Sequence, residues 1–342
     1  VAQMKYDAAR ASSARHVKPV ILPLLGAAVF LSALLSLGTG PAPIPAAEIL
    51  RAVAGQGSEV YSAILFEIRL PRLLLAVLVG GVLAMAGAVL QGYLRNPLAE
   101  ASILGTSNAA ALGAVIALYF GFAEGAALVL PLMAVGMAFA SLACLFALLR
   151  VQASGTALIL AGLAVGSLAG ACISLALNLS GNPFAMAEIA FWLLGSLEDR
   201  SMVHVWLAGP MICVSILIFL HLSRPLDALS LGEEAAESMG VDLVATRLWL
   251  AAGVALGVGS AVAVSGAIGF IGLVVPHLLR PFLGHQPSRL LLPSFFAGAV
   301  LLTLADWLVR VLPTGAELRL GVVTAFLGIP FFIYLLARRR VF

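Results

Sequence analysis

Long uncharged stretches, rather than an alternation of apolar and polar positions, dominate this chain. Charge-free runs occupy 19–47, 73–94, 101–123, 125–149, 151–187, 201–223, 248–279, 290–305 and 320–337. A helix needs about 20 apolar residues to cross a hydrocarbon layer, so the runs predict an all-α integral membrane protein. The run 248–279 is long for one helix and is broken at Ser265-Gly266, which divides it in two and predicts ten transmembrane helices. Residues 1–18 are polar and basic and read as a tail. The apolar run that follows is longer than the 7–15 residues of a secretory signal core, so it reads as a retained first span. The expected organisation is a tail over 1–18 and a single ten-helix domain over 19–342.

Charge placement orients the spans. Lys5, Arg10, Arg15 and Lys18 precede the first run, and Arg338, Arg339 and Arg340 follow the last. Basic residues collect on the cytoplasmic side, so both termini are expected there, which requires an even number of spans. Threading ten spans adds Arg95, Arg150, Arg224, Arg247, Arg280 and Arg289 to that side, 13 of the 19 Lys and Arg in all. Arg51, Arg69, Arg72, Arg200, Arg310 and Arg319 are left outside.

The stretch Gly266–Arg280 concentrates unusual features in an apolar setting. Gly266, Gly269 and Gly272 recur at helical spacing and admit a neighbouring backbone. Pro276 lacks an amide proton and forces a kink or a free carbonyl. His277 and Arg280 follow toward an interface. The expectation is a kinked, closely packed membrane helix.

Composition narrows the class. Of 342 residues, 62% are hydrophobic and 10% charged, far below the quarter of charged residues usual in soluble domains. A net charge of +3 is too small to argue for nucleic acid. Cys144, Cys172 and Cys213 lie in apolar runs without metal-ligand spacing and are expected to be buried thiols. Lys5 and Lys18 are the sole lysines and neither follows a glycine loop, so the chain has no P-loop. Most spans lack a carboxylate, which leaves a secondary carrier or channel without its usual relay. For a membrane-embedded enzyme, Glu100, His277 and Asp306 are scattered over separate spans. If the protein pumps, its energy comes from another chain.

The loops carry the candidate chemistry. Arg69-Leu-Pro-Arg72 at the mouth of the second span either anchors a helix end at the headgroups or forms a basic patch facing an acidic partner outside the membrane. Asn96-Pro97 is a breaker, and Glu100 is an acid close to the membrane. The segment 223–243, with glycines at 232 and 240 and acids at 233 and 234, reads as two short helices, either solvated or docking a cytosolic protein.

Taken together, Arg69-Leu-Pro-Arg72, Gly80–Gln91, Arg95-Asn-Pro-Leu-Ala-Glu100, Phe191–Leu197, Leu231-Gly232 with Met239-Gly240, Gly269–His277, Asp306 with Arg310, Glu317 and Gly321–Pro330 resemble the iron-siderophore, heme and cobalamin permeases of ATP-binding-cassette importers. The resemblance runs from about 60 to 337. It implies a type II importer permease of the bacterial inner membrane, working as a homodimer with two cytosolic ATP-binding subunits and a periplasmic substrate-binding protein. No cofactor is held permanently; ATP and magnesium sit on the partner subunits, and heme or another iron chelate is cargo. Arg69, Arg72 and Arg310 match positions that dock the binding protein. Leu231, Gly232, Glu233, Glu234, Ala235, Met239 and Gly240 match the cytoplasmic coupling helices, and Asn96, Pro97, Gly269, Gly272, Pro276 and His277 are structural motif positions. The chain departs from the pattern at Ala101, Ala109 and Arg319, the last replacing a proline. Glu198-Asp-Arg-Ser201 resembles the loop of heme permeases, which makes heme the expected cargo and a ferric siderophore or cobalamin the alternative. Met186, Met202 and His204 are candidate axial ligands, and Arg319 is a candidate contact for cargo carboxylates.

Overall fold

The computed structural model describes residues 2–122, 128–148, 155–312 and 318–338. Glu317, Arg150, Arg339 and Arg340 lie outside the described residues. The described chain is helical, with no strand. In order the helices are α1 (Ala2–Gly38), α2 (Ala46–Val53), α3 (Glu59–Ala63), α4 (Leu70–Tyr93), α5 (Thr106–Tyr119), α6 (Val129–Leu148), α7 (Gly155–Leu179) and α8 (Pro183–Leu193). There follow α9 (Met202–His221), α10 (Ser223–Leu229), α11 (Glu233–Ser238), α12 (Leu243–Ser265), α13 (Ile271–Leu283), α14 (Pro287–Val311) and α15 (Leu320–Arg338). A wide helical turn, Ile64–Arg69, joins α3 to α4 without a break. Among the described residues, seven helices are long and apolar enough to cross a membrane, and Thr106–Tyr119, Ile271–Leu283 and Leu320–Phe331 are shorter apolar helices.

The bundle is built around α4. Within its most apolar window 83% of residues are buried, against 11% for Val20–Gly38 of α1, so α4 is the centre and α1 the periphery. The residue types explain the difference. Lipid tails are as apolar as leucine, so membrane helices gain little from burying bulky apolar groups and associate through close packing and hydrogen bonds. A methyl group at Gly80 of α4 would sit 2.4 Å from the carbonyl oxygen of Gly298 in α14, and one at Gly87 would sit 2.0 Å from that of Gly272 in α13. The backbones therefore touch. Polar side chains add to these contacts: Ser215 Oγ of α9 donates to the Gly253 carbonyl of α12 at 2.7 Å, and Gln91 Nε2 of α4 donates to that of Gly272 at 3.1 Å.

Two expectations change. Cys144 and Cys213 are exposed and Cys172 is half-buried, so they are not core thiols. A helix that is apolar all round does not announce which face meets lipid. Nor is Gly266–Arg280 one kinked helix: α12 stops at Ser265, residues 266–270 are non-helical, and α13 begins at Ile271. Gly266 has φ +69°, and a side chain there would run 2.3 Å from the Trp192 carbonyl oxygen. Broken backbone inside a membrane protein survives where protein covers it and satisfies it. Here Glu100 Oε1 accepts the Phe270 amide at 2.7 Å.

Candidate functional site

The chain presents distinct chemistry at the two ends of the bundle. One end gathers the end of α1, the start of α4, the end of α14, the α8–α9 loop and the start of α15. Arg69 is buried and both its terminal nitrogens donate to backbone carbonyls, those of Leu37 and Ala42. Arg72 Nε meets Asp306 Oδ1 at 2.8 Å, and Arg310 Nε meets Asp306 Oδ2 at 3.1 Å. Arg310 also donates from Nη2 to Ser36 Oγ at 2.6 Å. The three arginines are thus brought together, but not as an open patch: their side chains tie α1, α4 and α14, and Asp306 is 1% exposed. Burying charge is costly unless it is paired, which explains the inward turn. Arg72 and Arg310 share one carboxylate while Arg69 donates to neutral carbonyls, so the cluster stays positive.

Beside it, the α8–α9 loop is stitched to its neighbours. Leu320 N–H donates to the Gly195 carbonyl at 2.9 Å, and Ser196 N–H to that of Ser265 at 2.8 Å. Arg200 Nε donates to the Val264 carbonyl at 2.6 Å, and burial, partly offset by the neighbouring Asp199 carboxylate, lowers its guanidinium from the ordinary arginine range. Arg319 Nη1 pairs with Glu198 Oε2 at 2.7 Å, and its guanidinium lies 5.1 Å over the Phe191 ring. A cavity of about 560 Å³ opens here, lined by Phe184, Phe191, Glu188, Glu198, Asp199, Arg200 and Arg319 among others.

Arg319 is placed at that cavity; Met186, Met202 and His204 are not among its lining residues. Met202 packs on the core. His204 Nδ1 accepts the Ser201 amide at 3.2 Å, which caps the first turn of α9. Nδ1 is therefore engaged.

The opposite end carries α10 and α11. Gly232 has φ +117° and Gly240 φ +84°, which breaks the segment into the two expected short helices. Glu233 and Glu234 are exposed while Ala235 is half-buried. Leu231 and Met239 are 69% and 63% exposed, large apolar side chains set among acids in a loop. Exposed large apolar side chains of this kind are more common on interaction surfaces than on solvated connectors. Asp227 holds the segment down, accepting from Gln286 Nε2 at 2.7 Å and from the Ser288 amide at 2.9 Å.

Between the ends lies the broken region. Asn96 Oδ1 accepts the Leu98 amide at 3.0 Å, and Asn96-Pro97 turns the chain back toward Glu100. Glu100 reaches the start of α13, in a cavity of about 240 Å³ that Gly269 and Gly272 also line. Pro276 lies inside α13, and the His277 ring centre is 5.9 Å from that of Phe331 on α15.

Sequence reasoning missed the partners: Asp306 as the shared counter-ion, Glu198 for Arg319, and Phe270 for Glu100. The available signal was the rule that a charge at membrane depth must find a partner.

This architecture of closely packed apolar helices, with an exposed acidic loop at one end and buried arginines at the other, is that of a transport permease. The chain belongs to the FecCD transport family, whose model matches residues 28–338. It is 40% identical over 309 residues to the Fe(3+) dicitrate transport system permease protein FecD of Escherichia coli, covering 90% of this chain and 95% of that protein. It is 39% identical over 318 residues to the vitamin B12 import system permease protein BtuC of Klebsiella pneumoniae, covering 91% and 92%. Among solved structures it resembles an inward-facing metal-chelate type ABC transporter with a TM-score of 0.83 at 33% identity, covering 94% of this chain and 99% of that one.

Proposed function

We propose that this chain is the permease subunit of an ATP-driven importer that moves an iron chelate across the bacterial inner membrane by alternating access. Two copies form the pathway, two ATP-binding subunits engage Leu231–Gly240, and a binding protein delivers cargo to the end that holds Arg69, Arg72 and Arg310. The seven long and three shorter apolar helices then make ten passages, with both termini in the cytoplasm. The observation that carries the reading is the exposure of Leu231 and Met239 among acids, on a short helical segment pinned by Asp227 to the start of α14. Such a segment can pass a partner's motion to the bundle.

Arg319 at the outer cavity favours a chelate with free carboxylates, because a guanidinium binds carboxylate in a fork. Its present partner, Glu198, is 36% exposed and so can exchange at little cost. Ferric citrate and heme both carry carboxylates. Heme loses part of its support because His204 caps α9, so the ferric carboxylate chelate stands first, heme second and cobalamin third.

The test is uptake into liposomes holding the permease and its ATPase, with binding protein loaded with ferric citrate, hemin or cobalamin. ATP-dependent accumulation of an iron chelate is expected. Leu231→Asp should abolish uptake while leaving the fold intact. Uptake that persists without the ATPase would overturn the reading and favour a secondary carrier or channel.

A further inference from the structure

Where α9 ends and α12 begins, at the α10–α11 end of the bundle, a cavity of about 350 Å³ is lined by His221, Arg224, Met239, Asp242, Thr246 and Trp249, among others. His221 closes α9, Arg224 lies in the first turn of α10, and Asp242 caps α12. Arg224 and Asp242 line the same space, yet among the described residues they form no ion pair with each other and Arg224 makes no hydrogen bond. Asp242 Oδ1 accepts the Ala245 amide at 2.9 Å, and its second carboxylate oxygen has no partner among the described residues. The His221 ring meets the Trp249 ring edge to face, with centroids 6.2 Å apart, and its nitrogens make no hydrogen bond among the described residues. The Thr246 hydroxyl already donates to the Asp242 carbonyl at 2.7 Å and offers nothing further. Leu217, one turn before His221, is exposed, as are Leu248 and Trp249 on α12. Lipid covers an apolar helix surface of this kind. The cavity therefore lies where the lipid-facing surface reaches the headgroups, the level at which tryptophan collects.

A simple anion at Arg224 would also meet the Asp242 carboxylate, and a simple cation at Asp242 would also meet the Arg224 guanidinium. A ligand that carries both charges satisfies both groups. We propose that this cavity binds the phosphoethanolamine headgroup of a membrane phospholipid, with Arg224 and His221 donating to the phosphate and Asp242 accepting from the ammonium. Guanidinium–phosphate bonds are among the strong, charge-assisted ones. A primary ammonium has three N–H donors to offer Asp242, which the trimethylammonium of a choline headgroup lacks. The bound headgroup joins the end of α9 to the start of α12, and Met239 in the same wall sets the α11–α12 turn against it. The site is independent of which chelate is carried and of how transport is powered.

The experiment places the full chain in nanodiscs of phosphatidylcholine alone, and of phosphatidylcholine mixed with phosphatidylethanolamine or with phosphatidylglycerol. Retained phospholipid after release into detergent, by native mass spectrometry, and thermal unfolding are read for the parent chain, Arg224→Gln, Arg224→Lys, Asp242→Asn and Arg289→Gln. The parent should retain phosphatidylethanolamine in preference to both other lipids. Arg224→Gln and Asp242→Asn should each lower that retention about tenfold, the loss of one hydrogen bond to a charged group, and Arg224→Lys should keep most of it. Arg289 is exposed and outside the lining, so Arg289→Gln should retain lipid like the parent. Arg224 is exposed and asparagine also caps a helix, so Arg224→Gln and Asp242→Asn should unfold like the parent in phosphatidylcholine alone. Phosphatidylglycerol or phosphatidylcholine retained as well as phosphatidylethanolamine would overturn the proposal, as would an equal loss in Arg289→Gln and Arg224→Gln.

Discussion

Replacing Gly80 by alanine tests whether α4 and α14 meet backbone to backbone. The added methyl would lie 2.4 Å from the Gly298 carbonyl oxygen, where ordinary contact begins at 3.4 Å, so the helices must separate by 3.4 − 2.4 = 1.0 Å. The obstruction is backbone and cannot rotate away. Overpacking of this kind costs about 1–3 kcal/mol, offset by roughly 1 kcal/mol of helix propensity that alanine gains over glycine. A net loss of up to about 2 kcal/mol is expected for Gly80→Ala, and a loss of about 1–3 kcal/mol relative to an alanine substitution that meets nothing. Gly298→Ala should behave alike, its methyl lying 2.3 Å from the Gly80 carbonyl oxygen. Gly136 of α6 supplies the control: it has nothing within 4 Å, so its alanine variant should be neutral or gain up to roughly 1 kcal/mol. Reversible unfolding in mixed micelles measures all three. The double variant Gly80→Ala/Gly298→Ala should cost less than the sum, because one separation relieves both clashes. If Gly80→Ala and Gly136→Ala were equally stable, backbone contact between α4 and α14 would be refuted.

Asp306→Asn should destabilise by about 3 kcal/mol, since Arg72 and Arg310 would then face a neutral amide in a buried setting; the same unfolding measurement checks it, and adding Arg72→Gln should recover part of the loss. Glu100→Ala should destabilise by about 1–3 kcal/mol, because the Phe270 N–H loses its acceptor in a buried setting; the same unfolding measurement checks it, and equal stability of parent and variant would contradict the assignment.

Spans and breaks were legible because their causes are local. The interruption at Ser265-Gly266 follows from a glycine at positive φ, and the division of 223–243 follows from Gly232 and Gly240. Facing was not legible: Cys144 and Cys213 sit in runs as apolar as those around Gly87, yet meet the outside of the bundle. Pairing was not legible either. Arg72 and Asp306 are 234 residues apart, and Glu100 and Phe270 are 170 apart, so the partners exist only once the helices are packed. Arg69, Arg72 and Arg310 lie at one end of the bundle, but whether they faced outward or inward depended on Asp306 and on the carbonyls at the end of α1.

The seat of α4 at the middle of the bundle has a consequence for how the protein is made. Its glycine face is covered by α13 and α14, yet it is synthesised about 200 residues earlier. At roughly 5–20 residues per second, α4 stays without those neighbours for about 10–40 s. Throughout that interval Gly80 and Gly87 face lipid or the insertion machinery. Biogenesis of this chain therefore has a late step, in which the last quarter of the polypeptide closes a groove that the first quarter has held open.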